Sequence, residues 1–202
     1  MIFNLSLYFL ESLFFFIIFY FIFFKFSKNL GLIDYPDLVR KKHLVPIPAI
    51  GGLIIYFSIL IMTFLNDTDF LIKIIIFSSC IVVITSSLDD SLNIGIIPRV
   101  MSQVFASLII IGYNLNITYI GFFPIYGDLY LNNFSLFFTL FCILLTTNAY
   151  NFIDGIDGLT GTQFFSSILI LFSYIYFENP EVLISSKMSV FYSLFFLIIL
   201  FL

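Results

Sequence analysis

The sequence predicts an all-α fold, a polytopic transmembrane helical bundle of about seven spans forming a single integral membrane domain over residues 1–202. Three observations predict it. Of the 202 residues, 61% are hydrophobic and 10% are charged, and the mean hydropathy is +1.15. A soluble domain carries about 25% charged residues. The apolar residues gather in runs close to the ~20 residues that cross a bilayer, and the charged residues gather in short connections between those runs.

The first span covers residues 5–24. It has neither a basic start nor a small-residue cleavage site, so it reads as a retained span and not a signal peptide. Glu11 lies in its outer third, near the interface. A polar loop at 25–48 follows, with Lys25, Lys28, Asp34, Asp37, Arg40, Lys41, Lys42 and the single histidine, His43. Pro36, Pro46 and Pro48 keep much of it non-helical. The second span, 50–65, is entered through Gly51 and Gly52, and an acidic turn at 66–69 leads to the third, 70–88. Asp89 and Asp90 come next, then a loop through Asn93 and Gly95 to Pro98 and Arg99. Proline suits a first helical turn, so the fourth span starts there and ends near Tyr113. Residues 114–133, broken by Gly121, Pro124 and Gly127, read as a short hairpin or a re-entrant loop. The fifth span, 134–147, is short; the sixth covers 159–177, and the seventh runs from about 183 to 202 after a second acidic turn.

Several function classes are excluded or disfavoured. The net charge of −4 rests on few residues and points to no nucleic-acid partner. Cys80 and Cys142 sit inside apolar runs, with neither disulfide nor metal spacing. No internal repeat, low-complexity linker or second domain is visible.

Counting spans places the 25–48 loop, the 89–99 loop and the 148–159 stretch on one membrane face. Lys25, Lys28, Arg40, Lys41, Lys42 and Arg99 lie on that face, against Lys73 and Lys187 near the other. The positive-inside rule makes it the cytoplasmic face.

The stretch at 148–159 reads N-A-Y-N-F-I-D-G-I-D-G-L. Asn148, Asn151, Asp154 and Asp157 recur every third residue, and Gly155 and Gly158 follow the two aspartates. Hydrocarbon does not solvate such a cluster, so it belongs at an interface or in a cavity. On an α-helix, three-residue steps drift by about 60°. They align in a 3₁₀ turn, which predicts a strained helix entry. The adjacent carboxylates Asp89 and Asp90 repel and call for a cation or a shared proton. Oxygen donors without a Cys or His cluster point to a hard ion, Mg²⁺ in the first place and Mn²⁺ in the second. Arg40, Lys41, Lys42 and His43 would then meet phosphate oxygens. Taken singly, Arg40–Lys42 also reads as a topology signal and Asp89–Asp90 as a solvated helix end. Asn93 and Gln103 read as structural.

Together these residues resemble a known family. The segment R-K-K-H-x4-P-x2-G-G from Arg40 to Gly52, the pair Asp89–Asp90 and the 148–159 stretch are similar to the three signatures of the polyprenyl-phosphate N-acetylhexosamine-1-phosphate transferases. Asp34-x-Pro36 also fits. The resemblance implies transfer of a sugar 1-phosphate from a UDP-N-acetylhexosamine to undecaprenyl phosphate with release of UMP. It implies a multi-pass protein of the bacterial cytoplasmic (inner) membrane with its site facing the cytoplasm; a homodimer is one assembly open to it, and the sequence does not fix the oligomeric state. The branch that transfers phospho-MurNAc-pentapeptide shows T-P-T-M-G-G where this chain reads P-I-P-A-I-G-G. The chain thus looks more like the branch that begins O-antigen, enterobacterial common antigen or teichoic-acid linkage units.

By the same resemblance Asp89, Asp90, Asp154 and Asp157 are the catalytic residues. Asp89 and Asp90 would bind or deprotonate the lipid phosphate or act through the metal. Asn151 and Asp154 would be metal ligands. Asn148 would line the substrate pocket, and Arg40, Lys41, Lys42 and His43 would hold phosphate. Family members have more spans, and after the seventh they carry a G-D-x-G-S segment with a metal aspartate, then a later His or Arg motif. Neither is present here, so a C-terminally truncated enzyme is expected. The rival readings are a catalytically inactive membrane fragment and a transporter with an intramembrane cation site.

Overall fold

The computed structural model describes residues 2–35, 45–66, 68–153, 158–178 and 188–201. Seven α-helices lie among them: α1 (Ile2–Phe26), α2 (Gly51–Leu65), α3 (Phe70–Leu92), α4 (Ile96–Gly112), α5 (Ser135–Ile153), α6 (Leu159–Glu178) and α7 (Ser189–Phe201). Each helix packs on its neighbour in sequence, and α7 returns to pack on α1 and α2. The bundle therefore closes on itself. The links from α2 to α3 and from α3 to α4 are only four and three residues long, and Gly31, just past α1, lies against Ser91 in the last turn of α3, so α1 and α3 end on the same side.

Local signals explain the boundaries. Asp69 caps α3, its carboxylate accepting the Leu71 N–H at 3.3 Å. The helix closes on Asn93 in the left-handed region (φ 51°), whose N–H reaches the Asp89 carbonyl at 2.8 Å. Gly95, at φ 90° and ψ −177°, then turns the chain into α4, and Pro98 sits in its first turn. Thus α3 runs four residues past its expected end, and Asp89 and Asp90 occupy its last turn.

Among the described residues four helices are long and apolar enough to cross a membrane: Ser6–Phe26, Phe70–Leu92, Asn132–Phe152 and Leu159–Glu178. These apolar helices make the chain a membrane protein. Gly51–Leu65 and Ile96–Gly112 are apolar but shorter. At 1.5 Å per residue they span about 22–26 Å, against a hydrocarbon core of about 30 Å. Four long spans among the described residues therefore stand beside the seven expected.

The outer surface is apolar, with Phe21, Phe77 and Phe137 about two-thirds exposed. The interior mixes apolar side chains such as Ile54, Met62 and Leu197 with small polar ones. Ser12, Ser58 and Ser107 are fully buried and donate to the carbonyls of Tyr8, Ile54 and Gln103, one turn back. A serine satisfied by its own helix lets a neighbouring helix approach closely.

Two small sheets occupy opposite ends. β1 (Ile33–Asp34) pairs antiparallel with β2 (Ile47–Pro48), clipping together the stalks of the 36–44 loop. β3 (Tyr119–Phe123) and β4 (Gly127–Tyr130) form an antiparallel hairpin, resolving the hairpin-or-loop alternative for 114–133. Ser135 Oγ donates to the Ile117 carbonyl at 2.6 Å and Thr139 Oγ1 accepts the Ile117 N–H at 2.8 Å, so the hairpin is fastened to α5.

Candidate functional site

The site is organised by one face of α4. Arg99 and Gln103 stand four residues apart and so share that face. Arg99 reaches α3 and Gln103 reaches α5.

On the α3 side, Asp89 accepts two bonds. Its Oδ1 takes the Gly95 N–H at 3.1 Å, and its Oδ2 takes Arg99 Nη1 at 3.0 Å. The side chains of Arg99 and Asp89 are 33% and 19% exposed, so the ion pair is partly shielded from water. The cation that the Asp89–Asp90 repulsion calls for is, for Asp89, supplied by the protein itself. Asp90 is exposed at the helix end. Thr85 Oγ1 donates to Ser102 Oγ at 2.8 Å and joins α3 to α4 one turn deeper.

On the α5 side, Asn148 Nδ2 donates to Gln103 Oε1 at 2.9 Å and to the Leu144 carbonyl at 2.8 Å. Both amide protons are engaged, which leaves Oδ1 as the Asn148 atom for any further ligand. Gln103 is 2% exposed. Its Nε2, and Arg99 Nε, are buried without a partner among the described residues.

The 148–159 stretch departs from expectation in one respect. α5 continues as α-helix through Ile153, so Asn148 and Asn151 lie on helix and not in a 3₁₀ turn. The ~60° step of a three-residue spacing follows: Asn148 is half-buried and Asn151 is exposed. Both helix ends around the motif are held. Tyr150 and Phe164 meet edge-on at 6.3 Å between centroids. Gly158, at φ 74°, accepts the Thr162 N–H at 2.9 Å as α6 begins. Asp154 and Asp157 lie outside the described residues.

Arg40, Lys41, Lys42 and His43 also lie outside them, but the base of their loop is placed. Gly31 lies at φ 69°, and a Cβ built on it would stand 3.5 Å from Ser91 Cβ. The turn after α1 therefore touches α3 beside Asp90. Ala49 N–H donates to the Leu32 carbonyl at 3.0 Å and closes the far side of the loop base. The described residues that flank the basic segment thus lie at the same end of the bundle as Asp89 and Asp90.

Among the described residues no three His, Cys, Asp or Glu side chains converge to hold a metal ion. The oxygen donors present are the carboxylates of Asp89 and Asp90 and the amides of Asn148 and Asn151. They suit a hard ion but do not complete a site by themselves.

Arg99 and Gln103 had no assigned part in the site on sequence grounds. A signal existed: two polar residues at i and i+4 on an otherwise apolar helix mark an inward face.

The family model for glycosyl transferase family 4 matches residues 72–202, well over half of the chain. The chain belongs to glycosyl transferase family 4. The matched region holds α3 but for its first two residues, α4, α5 and the whole α4-centred network. Among family 4 relatives, the undecaprenyl-phosphate alpha-N-acetylglucosaminyl 1-phosphate transferase of Escherichia coli O157:H7 is 31% identical over 140 residues, 68% of this chain. The protein of the same name from Salmonella typhi is 34% identical over 149 residues, 71% of this chain. A phospho-N-acetylmuramoyl-pentapeptide-transferase from Orientia tsutsugamushi is 31% identical over 156 residues, 68% of this chain. The matches cover 38%, 40% and 43% of those relatives' own lengths. No solved structure matches the chain.

Proposed function

We propose that this chain contributes to an N-acetylhexosamine-1-phosphate transferase that moves the sugar phosphate of a UDP-N-acetylhexosamine onto undecaprenyl phosphate. The observation that carries the reading is the α4 face, which ties the Asp89 motif and the Asn148 motif into one network beside the base of the basic loop. Family membership and the names of the relatives support the reaction class.

In the proposed step, an oxygen of the lipid phosphate attacks the β-phosphorus of the UDP-sugar. The bond from that phosphorus to the oxygen bridging toward the α-phosphate breaks, and UMP leaves with the electron pair. Lipid pyrophosphate-sugar and UMP are the products. Asp90, exposed at the α3 end, faces the lipid phosphate or its metal. Asp89 is held rigid by Gly95 and Arg99 and orders that helix end. Asn148 Oδ1 meets the nucleotide sugar. Arg40, Lys41, Lys42 and His43 hold phosphate oxygens. Asn151 and Asp154 would hold Mg²⁺, which when bound supplies charge stabilisation at the pyrophosphate, and Asp157 would complete the pocket.

The orientation we propose follows the charges: the loop ends with Lys25, Lys28 and Arg99 face the cytoplasm across a bacterial inner membrane. The shorter helices α2, α4 and α7 are taken as crossing too, giving seven spans. GlcNAc, or a modified GlcNAc, is the proposed sugar, for the start of a cell-surface polysaccharide.

The test is product analysis. Membranes carrying the chain, alone and continued with a family 4 C-terminal part, are given a panel of UDP-N-acetylhexosamines and undecaprenyl phosphate. Lipid pyrophosphate-sugar formed in step with UMP supports the reading. Absence of product from every donor in both forms sinks it and favours an inactive membrane fragment.

A further inference from the structure

Gln103 is the most thoroughly buried large polar side chain of α4, and it faces a residue of the 148–159 motif. The assignment of its amide is forced. The Leu144 carbonyl only accepts, so the nitrogen of Asn148 must face it at 2.8 Å. The second proton of that nitrogen then points at Gln103, which must present its oxygen, at 2.9 Å. Gln103 Nε2 is left buried and without a partner among the described residues.

An unpartnered buried N–H is destabilising, because it has left water without regaining a hydrogen bond. Leucine would fill a similar volume on a buried helix face without that cost. What the amide offers and leucine does not is an acceptor for Asn148. That acceptor is a second anchor for the same Asn148 nitrogen and holds the amide in the orientation that the Leu144 carbonyl sets. Without it, the amide is held by the Leu144 carbonyl alone and turns more freely about its terminal bond, whose preferences are broad.

We propose that Gln103 is a positioning residue, fixing Asn148 so that its Oδ1, and not its Nδ2, meets the nucleotide sugar. The role rests on the transferase reading above. α4 then serves both sides of the site, with Arg99 ordering the α3 end and Gln103 ordering the α5 motif. Gln103 does not touch the reacting atoms.

The experiment compares the wild type with Gln103→Leu and Gln103→Glu in lipid nanodiscs. Binding of UDP-GlcNAc is read by equilibrium dialysis with Mg²⁺, and thermal unfolding is read alongside. Gln103→Leu weakens binding by about tenfold, the loss of one oriented polar contact. Gln103→Glu keeps an oxygen at the same place and stays within about threefold of wild type. The double variant Gln103→Leu with Asn148→Leu removes both partners. It unfolds at or above the Gln103→Leu midpoint, since no unpaired amide remains, yet binding stays weak. Unchanged binding in Gln103→Leu, or equal losses in the Leu and Glu variants, overturns the positioning role and leaves the transferase reading standing. A wild type that folds but binds no UDP-N-acetylhexosamine overturns both.

Discussion

Arg99 Nη1 and Asp89 Oδ2 stand 3.0 Å apart across the turn that joins α3 to α4. The bond crosses a turn of only three residues, Asn93 to Gly95, in which two residues have positive φ. A carboxylate at the negative end of a helix dipole is unfavourably placed. A guanidinium and a backbone N–H, both aimed at Asp89, offset that placement.

Removing the cation therefore exposes the repulsion it offsets. Arg99→Met lowers transferase activity by about 10- to 100-fold, equivalent to roughly 1.4–2.7 kcal/mol. Arg99→Lys recovers part of the loss, because an ammonium keeps the charge but not the guanidinium geometry. Initial rates at saturating donor, with the variants inserted to equal levels, give the comparison. Equal rates for Met and wild type would remove Arg99 from the account.

Gly95 tests the turn itself. Its φ of 90° with ψ near 180° is open essentially to glycine alone, while a Cβ there would meet nothing within 4 Å. Any loss in Gly95→Ala is thus backbone strain and not a clash, about 1–3 kcal/mol. The Gly95 N–H that binds Asp89 moves with the strained turn, so activity falls along with the unfolding midpoint. A midpoint equal to wild type would show that the turn tolerates a side chain.

Ser12 tests the closure of the bundle. It is fully buried where α1 meets α2 and α7, with its hydroxyl 3.9 Å from Met62 Sδ and 3.5 Å from the Ser193 carbonyl. Ser12→Ala is mild, near the ~0.6 kcal/mol of an average hydrogen bond inside a membrane. Ser12→Leu overfills the contact and destabilises by about 1–3 kcal/mol. Unfolding titrations in mixed micelles read both, and a leucine variant as stable as wild type would mean that α7 does not close on α1.

Topology gives a fourth check, on a background with Cys80 and Cys142 replaced by serine. Ser91→Cys, beside Asp90, reacts with a membrane-impermeant maleimide only from the cytoplasmic side. Tyr126→Cys, at the tip of the β3–β4 hairpin and 81% exposed, reacts only from the opposite side. Labelling of both from one side would contradict the proposed orientation.

Much of the bundle was legible because hydrocarbon is a severe solvent. Apolar runs gave the helices, and Gly121, Pro124 and Gly127 marked the hairpin. Ends were less legible. Apolarity stops at Leu88, yet backbone hydrogen bonding carries α3 to Leu92 and places Asp89 on a helix. Similarly, the three-residue repeat suggested a 3₁₀ turn, but the α-helix persists and rotates Asn151 away from Asn148. Span length was read from hydropathy, which does not distinguish a short membrane helix from a buried one, hence four long helices beside seven expected. For the site, the motif residues were visible as polar exceptions. Their partners Arg99 and Gln103 were not, because pairing across helices depends on which faces meet.

The most direct test of the central claim is transfer of labelled GlcNAc phosphate from UDP-GlcNAc to undecaprenyl phosphate by membranes carrying the chain continued with a family 4 C-terminal part. Wild type, Asp90→Asn and Asn148→Ala are compared with and without Mg²⁺. The account predicts Mg²⁺-dependent label in the lipid fraction for wild type and losses of at least about 100-fold for Asp90→Asn and about tenfold for Asn148→Ala. Wild-type transfer undiminished in both variants would contradict it.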